Sequence, residues 1–199
     1  MGKVRIALLG LGTVGQGVWS ILNTNKDDIL RKCGCEIEVA KILVRDPEKP
    51  RGVKVPEGII TADVNDILND SSIKIVIELM GGTEPAKDYM LRAMKCKKHV
   101  VTANKLVLAT QGEELFKTAE QERVLFYYEA SVGGGIPIIR EINESLTANR
   151  IDKLVGIING TTNYILTKMT REGMDFNEAL REAQEKGYAE ADPSSDVDG

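Results

Sequence analysis

The first two-thirds of the chain alternates short apolar runs with longer segments of helical periodicity. The run at 73–80 is apolar except for Lys74 and Glu78, which is typical of a parallel strand buried on both faces. Strands that alternate with helices predict an α/β fold built on a doubly wound parallel sheet. We predict its six strands at residues 4–10, 36–44, 58–61, 73–80, 99–102 and 124–130.

Capping residues mark the ends of several helices between these strands. Gly34 is placed to end the first helix in the left-handed conformation that favours glycine. Asp63 can cap a short helix, and Pro85 suits the first turn of the next one. The predicted helices of this part are 14–32, 64–68, 85–97 and 112–123.

A glycine-rich turn follows the first strand and opens the first helix. In the segment Gly10-Leu11-Gly12-Thr13-Val14-Gly15, the first glycine permits the tight turn and the second lets the backbone approach a pyrophosphate. The third lets the helix pack closely on the strand, and the helix amino terminus faces the phosphates. This order of strand, turn and helix predicts a dinucleotide site of the Rossmann type. An ordinary strand-to-helix connection is the alternative, because glycine-rich turns also serve that purpose.

The pattern changes after the glycines at 133–135, where an incomplete α+β substrate domain is expected to begin. Its predicted elements are a helix at 137–146, a strand at 151–158 and helices at 163–171 and 176–186, the last with a capping box of Asp175 and Glu178. We therefore expect a cofactor domain over 1–133 and a second domain over 134–199. The last residues form a polar loop with no stop signal, so the chain is interpreted as truncated.

Composition and charge narrow the range of partners. The net charge of −4 and the absence of a basic block argue against nucleic acid. No apolar run reaches membrane-spanning length, and no signal-peptide cleavage site follows the first strand. Three cysteines and one histidine form neither a disulfide framework nor a zinc set, and free thiols suit a reducing cytoplasm.

Residues at the carboxyl ends of the predicted strands are the candidates for cofactor chemistry, because ligands of doubly wound sheets bind there. Arg45 follows the second strand and can pair with a ribose 2′-phosphate, with Lys54 as a possible second cation, which favours NADP; a solvated loop arginine is the alternative. The adjacent Asp46 leaves NAD open. Gly81 follows the fourth strand. A backbone that lies close to the cofactor would explain a glycine there, and so would an ordinary turn. Lys105 follows the fifth strand and can orient the cofactor and substrate or exchange a proton; a surface lysine is the alternative.

Several separate stretches together resemble homoserine dehydrogenase over the whole length of the chain. The resemblance implies an NAD(P)-dependent oxidoreductase that interconverts L-homoserine and L-aspartate 4-semialdehyde, on the route to threonine, methionine and isoleucine. It also implies a homodimer when full length. The stretches are the glycine turn, Thr102-Ala103-Asn104-Lys105, Glu129-Ala130-Ser131-Val132-Gly133-Gly134-Gly135-Ile136-Pro137, residues 156–166 and Gly187-Tyr188-Ala189-Glu190-Ala191-Asp192-Pro193.

The same resemblance assigns roles to further residues. It implies that Lys105 lies beside nicotinamide and substrate, that Glu190 receives the amino group of homoserine, and that Gly187 approaches the cofactor. Asp196 is a further acidic candidate in the substrate loop. A monovalent cation, usually sodium, would be held by the carboxylate and backbone oxygens of Glu129, Val132, Gly134 and Ile136.

Two rival functions remain open at this point. The first is another Rossmann dehydrogenase of small substrates, and the second is a nucleotide-binding module without catalysis, such as a redox-sensing regulator. The family places a proton-donating lysine beyond residue 199, which favours the module for this fragment. The amino-acid pocket implied by residues 159–163 and Glu190 argues against it.

Overall fold

The computed structural model describes residues 2–156, 159–189 and 193. The chain divides into two compact units, 1–147 and 148–199. The glycine loop and the helical turns after it belong to the first unit, and the domain boundary expected at 133 stays a prediction. No helix in the described part of the chain is long and apolar enough to cross a membrane.

The first unit is built on one six-stranded sheet in which every strand pair is parallel. The spatial order is β3-β2-β1-β4-β5-β6, so the chain reverses direction across the sheet between β1 and β4. This order is that of the doubly wound Rossmann fold, and it confirms the predicted fold class. The strands are β1 Gly2–Leu9, β2 Cys35–Leu43, β3 Ile60–Thr61, β4 Ile73–Glu78, β5 His99–Thr102 and β6 Phe126–Tyr127.

The two faces of the sheet bury alternate residues of β1, as the twofold periodicity of a strand requires. Ala7 and Leu9 belong to a core cluster with Met90 and Met94, and Ile6 and Leu8 belong to a second cluster. Trp19 packs against that second cluster. Because both faces are covered, the open surface at the carboxyl ends of the strands is left to loops and helix termini.

The helices of the first unit differ from the prediction at two places. The predicted helix 14–32 is two helices that meet at Asn25, and α5 begins at Lys105, seven residues before the predicted start at Gly112. Gly34 ends α2 with a φ of 71°, as predicted. The helices are α1 Thr13–Thr24, α2 Lys26–Cys33, α3 Asn65–Leu68, α4 Ala86–Lys95 and α5 Lys105–Glu122, followed by a 3-10 turn Glu129–Ser131, the short α6 Ile138–Arg140 and a π-helical turn Glu141–Ser145.

The second unit contains α7 Gly160–Glu172 and α8 Phe176–Glu185, which pack around Ile165, Ala179 and Ala183. Asp175 accepts a hydrogen bond from the backbone N–H of Asn177 and caps α8. The strand predicted at 151–158 is wrong for residues 151–156, which form neither strand nor helix. Residues 157 and 158 lie outside the described residues.

Candidate cofactor and catalytic site

The glycine turn after β1 has the three distinct environments that the sequence predicted. Gly10 has a φ of 110°, and a Cβ placed there would lie 2.9 Å from the carbonyl oxygen of Leu79. A Cβ on Gly15 would lie only 2.4 Å from the carbonyl oxygen of Gly10, so helix and strand are in direct contact. A Cβ on Gly12 would meet nothing within 4 Å. The fold therefore explains the first and third glycines and leaves the second open to a ligand.

The amino terminus of α1 begins directly at this turn. Gly12 is the N-cap residue and offers no side-chain acceptor, and the first turn contains no acidic residue. Unpaired N–H groups and the positive end of the helix dipole are thus available to an anion. Leu11 is buried, whereas Thr13 and Val14 are exposed beside the turn.

The loop after β2 carries Arg45 and is folded around a second arginine. The Arg51 guanidinium donates hydrogen bonds to the carbonyl oxygens of Asp46, Pro47 and Lys49, at 2.6, 3.2 and 2.7 Å. Arg45 itself is exposed, and its side chain makes no hydrogen bond or ion pair within the described residues. The same holds for Lys54, the second candidate cation.

Gln16 joins this loop to the glycine turn. Its amide oxygen accepts a hydrogen bond from the backbone N–H of Gly52 at 2.9 Å, and its amide nitrogen donates to the carbonyl oxygen of Leu11 at 3.4 Å. Gln16 lies in the first helical turn of α1. The predicted pyrophosphate turn and the loop that carries Arg45 are therefore linked by one side chain.

A buried polar cluster lies where β4 and β5 end, and sequence reasoning missed it. The Glu78 carboxylate is fully buried and accepts hydrogen bonds from the backbone N–H of Met80 at 2.7 Å and of Gly81 at 3.3 Å. The Thr102 hydroxyl donates to its other oxygen at 2.6 Å. The signals in the sequence were a glutamate within a run of apolar residues and the stretch Thr102-Ala103-Asn104-Lys105.

Asn104 continues this cluster to the start of α5. Its side-chain oxygen accepts from the backbone N–H of Val107 at 3.1 Å and caps the helix, and its Nδ2 donates to the carbonyl oxygen of Gly82 at 2.7 Å. Lys105 is the first helical residue, is exposed, and makes no hydrogen bond or ion pair within the described residues. The structure thus brings Gly81 and Lys105 to the same edge of the sheet, next to the glycine turn.

The glycine loop that was predicted to hold a cation begins at Glu129. Its two carboxylate oxygens each accept one backbone N–H, from Ile139 and Arg140, both at 2.9 Å. A carboxylate oxygen has two lone pairs, so each keeps one for a cation, and backbone carbonyls are the other hard donors in the loop. The remaining predicted ligands, Val132, Gly134 and Ile136, are exposed.

The second unit brings together two separated stretches that carry the family resemblance. Asn159 caps α7 by accepting a hydrogen bond from the N–H of Thr162, and the Thr161 hydroxyl donates to the carbonyl oxygen of Tyr188 at 2.7 Å. Gly187 has a φ of 73°, and a Cβ there would meet nothing within 4 Å. Glu190 and Asp196 lie outside the described residues.

A charged cluster surrounds Tyr164 in the same unit. Its hydroxyl donates to Glu182 Oε1 at 2.7 Å and accepts from Lys186 Nζ at 2.9 Å. Hydrogen bonds from Lys186 and then from Tyr164 lower the pKa of the Glu182 carboxyl to about 2. The bond with Glu182 raises the pKa of Lys186 above its usual value. The cluster fixes α7 to α8.

The histidine makes a contact within the fold, and the cysteines are free thiols. His99 Nδ1 accepts a hydrogen bond from the backbone N–H of Leu125 at 2.9 Å. Cys33 and Cys96 are exposed free thiols, and Cys35 is half-buried. Among the described residues, no group of three or more His, Cys, Asp or Glu side chains is arranged to hold a metal ion.

Comparison with known families agrees with this geometry. The model described as "Homoserine dehydrogenase, NAD binding domain" matches residues 10–129, more than half of the chain. The chain belongs to the homoserine dehydrogenase family. A second model, "Homoserine dehydrogenase", matches residues 137–199.

Individual members of the family are similar to this chain in sequence and in fold. A homoserine dehydrogenase of Bacillus subtilis (strain 168) is 48% identical over the whole of this chain, which covers 46% of that protein. The crystal structure of a homoserine dehydrogenase from Thiobacillus denitrificans has a TM-score of 0.92 and 46% identity, with 99% of this chain and 46% of that one covered. A hyperthermophilic archaeal homoserine dehydrogenase in complex with NADPH has a TM-score of 0.83 and 28% identity, covering 99% of this chain and 65% of that one. The chain spans slightly less than half the length of the curated relatives it matches.

Proposed function

We propose that this chain supplies the cofactor side of an enzyme that interconverts L-homoserine and L-aspartate 4-semialdehyde with NADP. The observation that carries the proposal is the glycine turn of a family member. Gly12 is the one glycine of that turn whose lack of a side chain the protein itself does not require, so a ligand explains it. The reaction would lie on the route to threonine, methionine and isoleucine. The full-length protein would be cytoplasmic and a homodimer.

The described residues fit a dinucleotide at three positions on the sheet edge. The amino terminus of α1 would hold the pyrophosphate, and the unpaired Arg45 guanidinium would pair with the ribose 2′-phosphate. Gly81 would lie near the nicotinamide half. NADPH in the archaeal relative supports this choice over NAD.

When bound, the nicotinamide supplies or accepts the hydride of the reaction. Lys105 is placed to orient the carbonyl or hydroxyl oxygen of the substrate with an ammonium group that no protein carboxylate neutralises among the described residues. In the family the matching lysine lies beside nicotinamide and substrate, so we assign Lys105 the catalytic role. Glu190 is assigned to the ammonium group of homoserine, and Asp196 and Gly187 to the same substrate and cofactor loop.

The loop from Glu129 to Ile136 is proposed to hold a monovalent cation, sodium by resemblance to the family. Its donor set of one carboxylate and the carbonyl oxygens of Val132, Gly134 and Ile136 has the hard chemistry such an ion prefers. Because Glu129 also binds the amide groups at the start of α6, the ion would stiffen the segment that follows the sheet. Thermal unfolding in sodium against a bulky organic cation of equal ionic strength tests this assignment.

Two measurements test the proposed activity. Fluorescence titration of the chain with NADPH tests the cofactor site. Homoserine-dependent formation of NADPH is then measured in a chimera that joins this chain to the remaining half of the Bacillus subtilis relative. Turnover that Lys105→Ala abolishes and that Lys117→Ala, at an exposed position of the same helix, retains would support the proposal. The chain alone is expected to bind NADPH without turnover.

Other outcomes favour the rival functions. A chimera that binds NADPH as tightly as the relative does, but turns over no homoserine, would favour a nucleotide-binding module. A chain that does not bind NADPH or NADH would contradict the cofactor site itself.

A further inference from the structure

The buried polar groups at the ends of β4 and β5 form a closed ring of hydrogen bonds. The Glu78 carboxylate accepts from the N–H of Gly81 and from the hydroxyl of Thr102. The Thr102 oxygen accepts from the N–H of Asn104 at 3.0 Å. Asn104 then donates to the carbonyl oxygen of Gly82, one residue from the start of the ring. The ring joins the turn after one strand to the helix that follows the next.

Register and burial make this ring stiff. Glu78 and Thr102 are paired residues of adjacent parallel strands, and both are fully buried. Asn104 is 6% exposed. A buried carboxylate is tolerated only when its oxygens are well supplied with hydrogen bonds. The donors here are two backbone N–H groups and a hydroxyl, and Glu78 forms no ion pair with any described residue.

The ring contacts two exposed elements, the Gly81-Gly82 turn and Lys105 at the start of α5. Gly81 and Gly82 both have positive φ values, 74° and 70°, and a Cβ on either would meet nothing within 4 Å. Side-chain packing therefore does not fix their turn, and its backbone is tied by Glu78 and Asn104. Asn104 also caps α5, whose first residue is Lys105. The same ring thus sets the position of both.

We propose that Glu78, Thr102 and Asn104 are positioning residues that fix the Gly81-Gly82 turn relative to Lys105, and so pre-form the part of the site that receives the nicotinamide half of the cofactor. This inference rests on the proposed function, because it needs a cofactor at this edge of the sheet. It adds that this half of the site depends on one buried hydroxyl. Thr102 links the two sides of the ring, because its hydroxyl donates to Glu78 and accepts from the N–H of Asn104.

The test compares two ligands that share one half. NADPH reaches the nicotinamide side, whereas adenosine 2′,5′-bisphosphate contains only the adenosine end that Arg45 would bind. Thr102→Val removes the hydroxyl at nearly constant volume, and Thr102→Ser retains it. Asn104→Asp keeps the acceptor for the Val107 N–H but loses the donor to Gly82. Binding of both ligands to the 199-residue chain is measured by calorimetry, with the unfolding midpoint of each variant as a check on folding.

We expect Thr102→Val and Asn104→Asp to weaken NADPH binding about five- to tenfold, as for one lost hydrogen bond. Adenosine 2′,5′-bisphosphate should bind within about twofold of wild type, and Thr102→Ser should restore NADPH binding. Equal losses for both ligands, or unchanged NADPH affinity, would overturn the positioning role alone. If Thr102→Val does not fold, the Asn104→Asp result decides by the same criterion. A wild-type chain that binds only the bisphosphate also overturns it, and one that binds neither ligand overturns the proposed function as well.

Discussion

Charged side chains have different surroundings at the two ends of the parallel sheet. At the amino-terminal end of the strands, cations and carboxylates are paired with one another. At the carboxyl end, Arg45 and Lys105 are exposed and have no partner among the described residues, and the carboxylate of Glu78 is buried under neutral donors. We call the amino-terminal end the closed end, and we call the carboxyl end, where these two cations have no partner among the described residues, the open end.

At the closed end, the cations contact carboxylates or backbone carbonyl oxygens. Lys3 Nζ lies 2.5 Å from Glu38, and Arg5 contacts both Glu38 at 3.2 Å and Asp70 at 3.1 Å. Lys98 is 2% exposed and donates to the carbonyl oxygens of Asp70 and Ile73. Burial lowers the pKa of Lys98. Because the same sheet carries both ends, the unpaired cations at the carboxyl end reflect their position in the fold and not a shortage of acidic residues.

The largest effect is expected when the open end loses a cation. Arg45→Asp should weaken NADPH binding by about 1.5–3 kcal/mol, the range for a hydrogen bond to a charged group, which is about ten- to hundredfold. NADH binding should change much less, because NADH lacks the 2′-phosphate. Fluorescence titration with both cofactors measures the difference. As a control, Arg5→Asp at the closed end should lower stability and leave the NADPH-to-NADH ratio unchanged; equal losses for both cofactors with Arg45→Asp would contradict the assignment.

The next largest effect is expected in the glycine turn, where substitutions of Gly15 and Gly12 should affect stability and NADPH binding differently. A methyl group at Gly15 would press on the carbonyl oxygen of Gly10, so Gly15→Ala should destabilise the fold by about 1–3 kcal/mol, as overpacking does. Gly12→Ala meets open space and should alter stability less, but it should weaken NADPH binding by crowding the pyrophosphate. Urea unfolding and NADPH titration of both variants check this. Equal NADPH affinity of Gly12→Ala and wild type would show that the open space at Gly12 does not face the cofactor.

The smallest effect concerns acid stability of the closed end. Hydrogen bonds from Ser72, and then the charge of Arg5, lower the pKa of Asp70. A lowered folded-state pKa adds stability above the unfolded-state value near 4, and that contribution is lost as the pH falls through the folded-state value. Asp70→Asn should therefore reduce the free energy of unfolding at neutral pH by about 0.2–1 kcal/mol and flatten its decline below about pH 4. Urea midpoints at several pH values test this, and an unchanged decline in Asp70→Asn would contradict it.

Much of the sheet was predictable because its signals are local. Apolar runs, the glycine turn and the caps at Gly34 and Asp175 each depend on neighbouring residues. The errors arose where contacts between distant residues decide. Lys105 begins α5 because Asn104 caps the helix, and Asn104 is itself held by the carbonyl oxygen of Gly82, a residue 22 positions away.

The sequence proposed the glycine turn and exposed cations as site residues, and it missed the buried polar cluster behind them. Gly12, Arg45 and Lys105 could be named because their residue types and positions after strands suggest chemistry. Glu78 could not, since a charged residue in an apolar run is ambiguous until Thr102 is known to lie opposite it in the next strand. The strand predicted at 151–156 failed for a related reason. Apolar residues there suggested burial, but Leu154 and Val155 are 61% and 80% exposed.

Gln16 has a practical consequence for redesign of coenzyme preference. A redesign of coenzyme preference would exchange the loop at residues 45–52 for that of another dehydrogenase. In this fold the backbone N–H of Gly52 in that loop binds the side chain of Gln16 in α1. A transplanted loop would keep the internal hydrogen bonds of Arg51 but lose its contact with α1 unless a residue equivalent to Gln16 is transplanted with it.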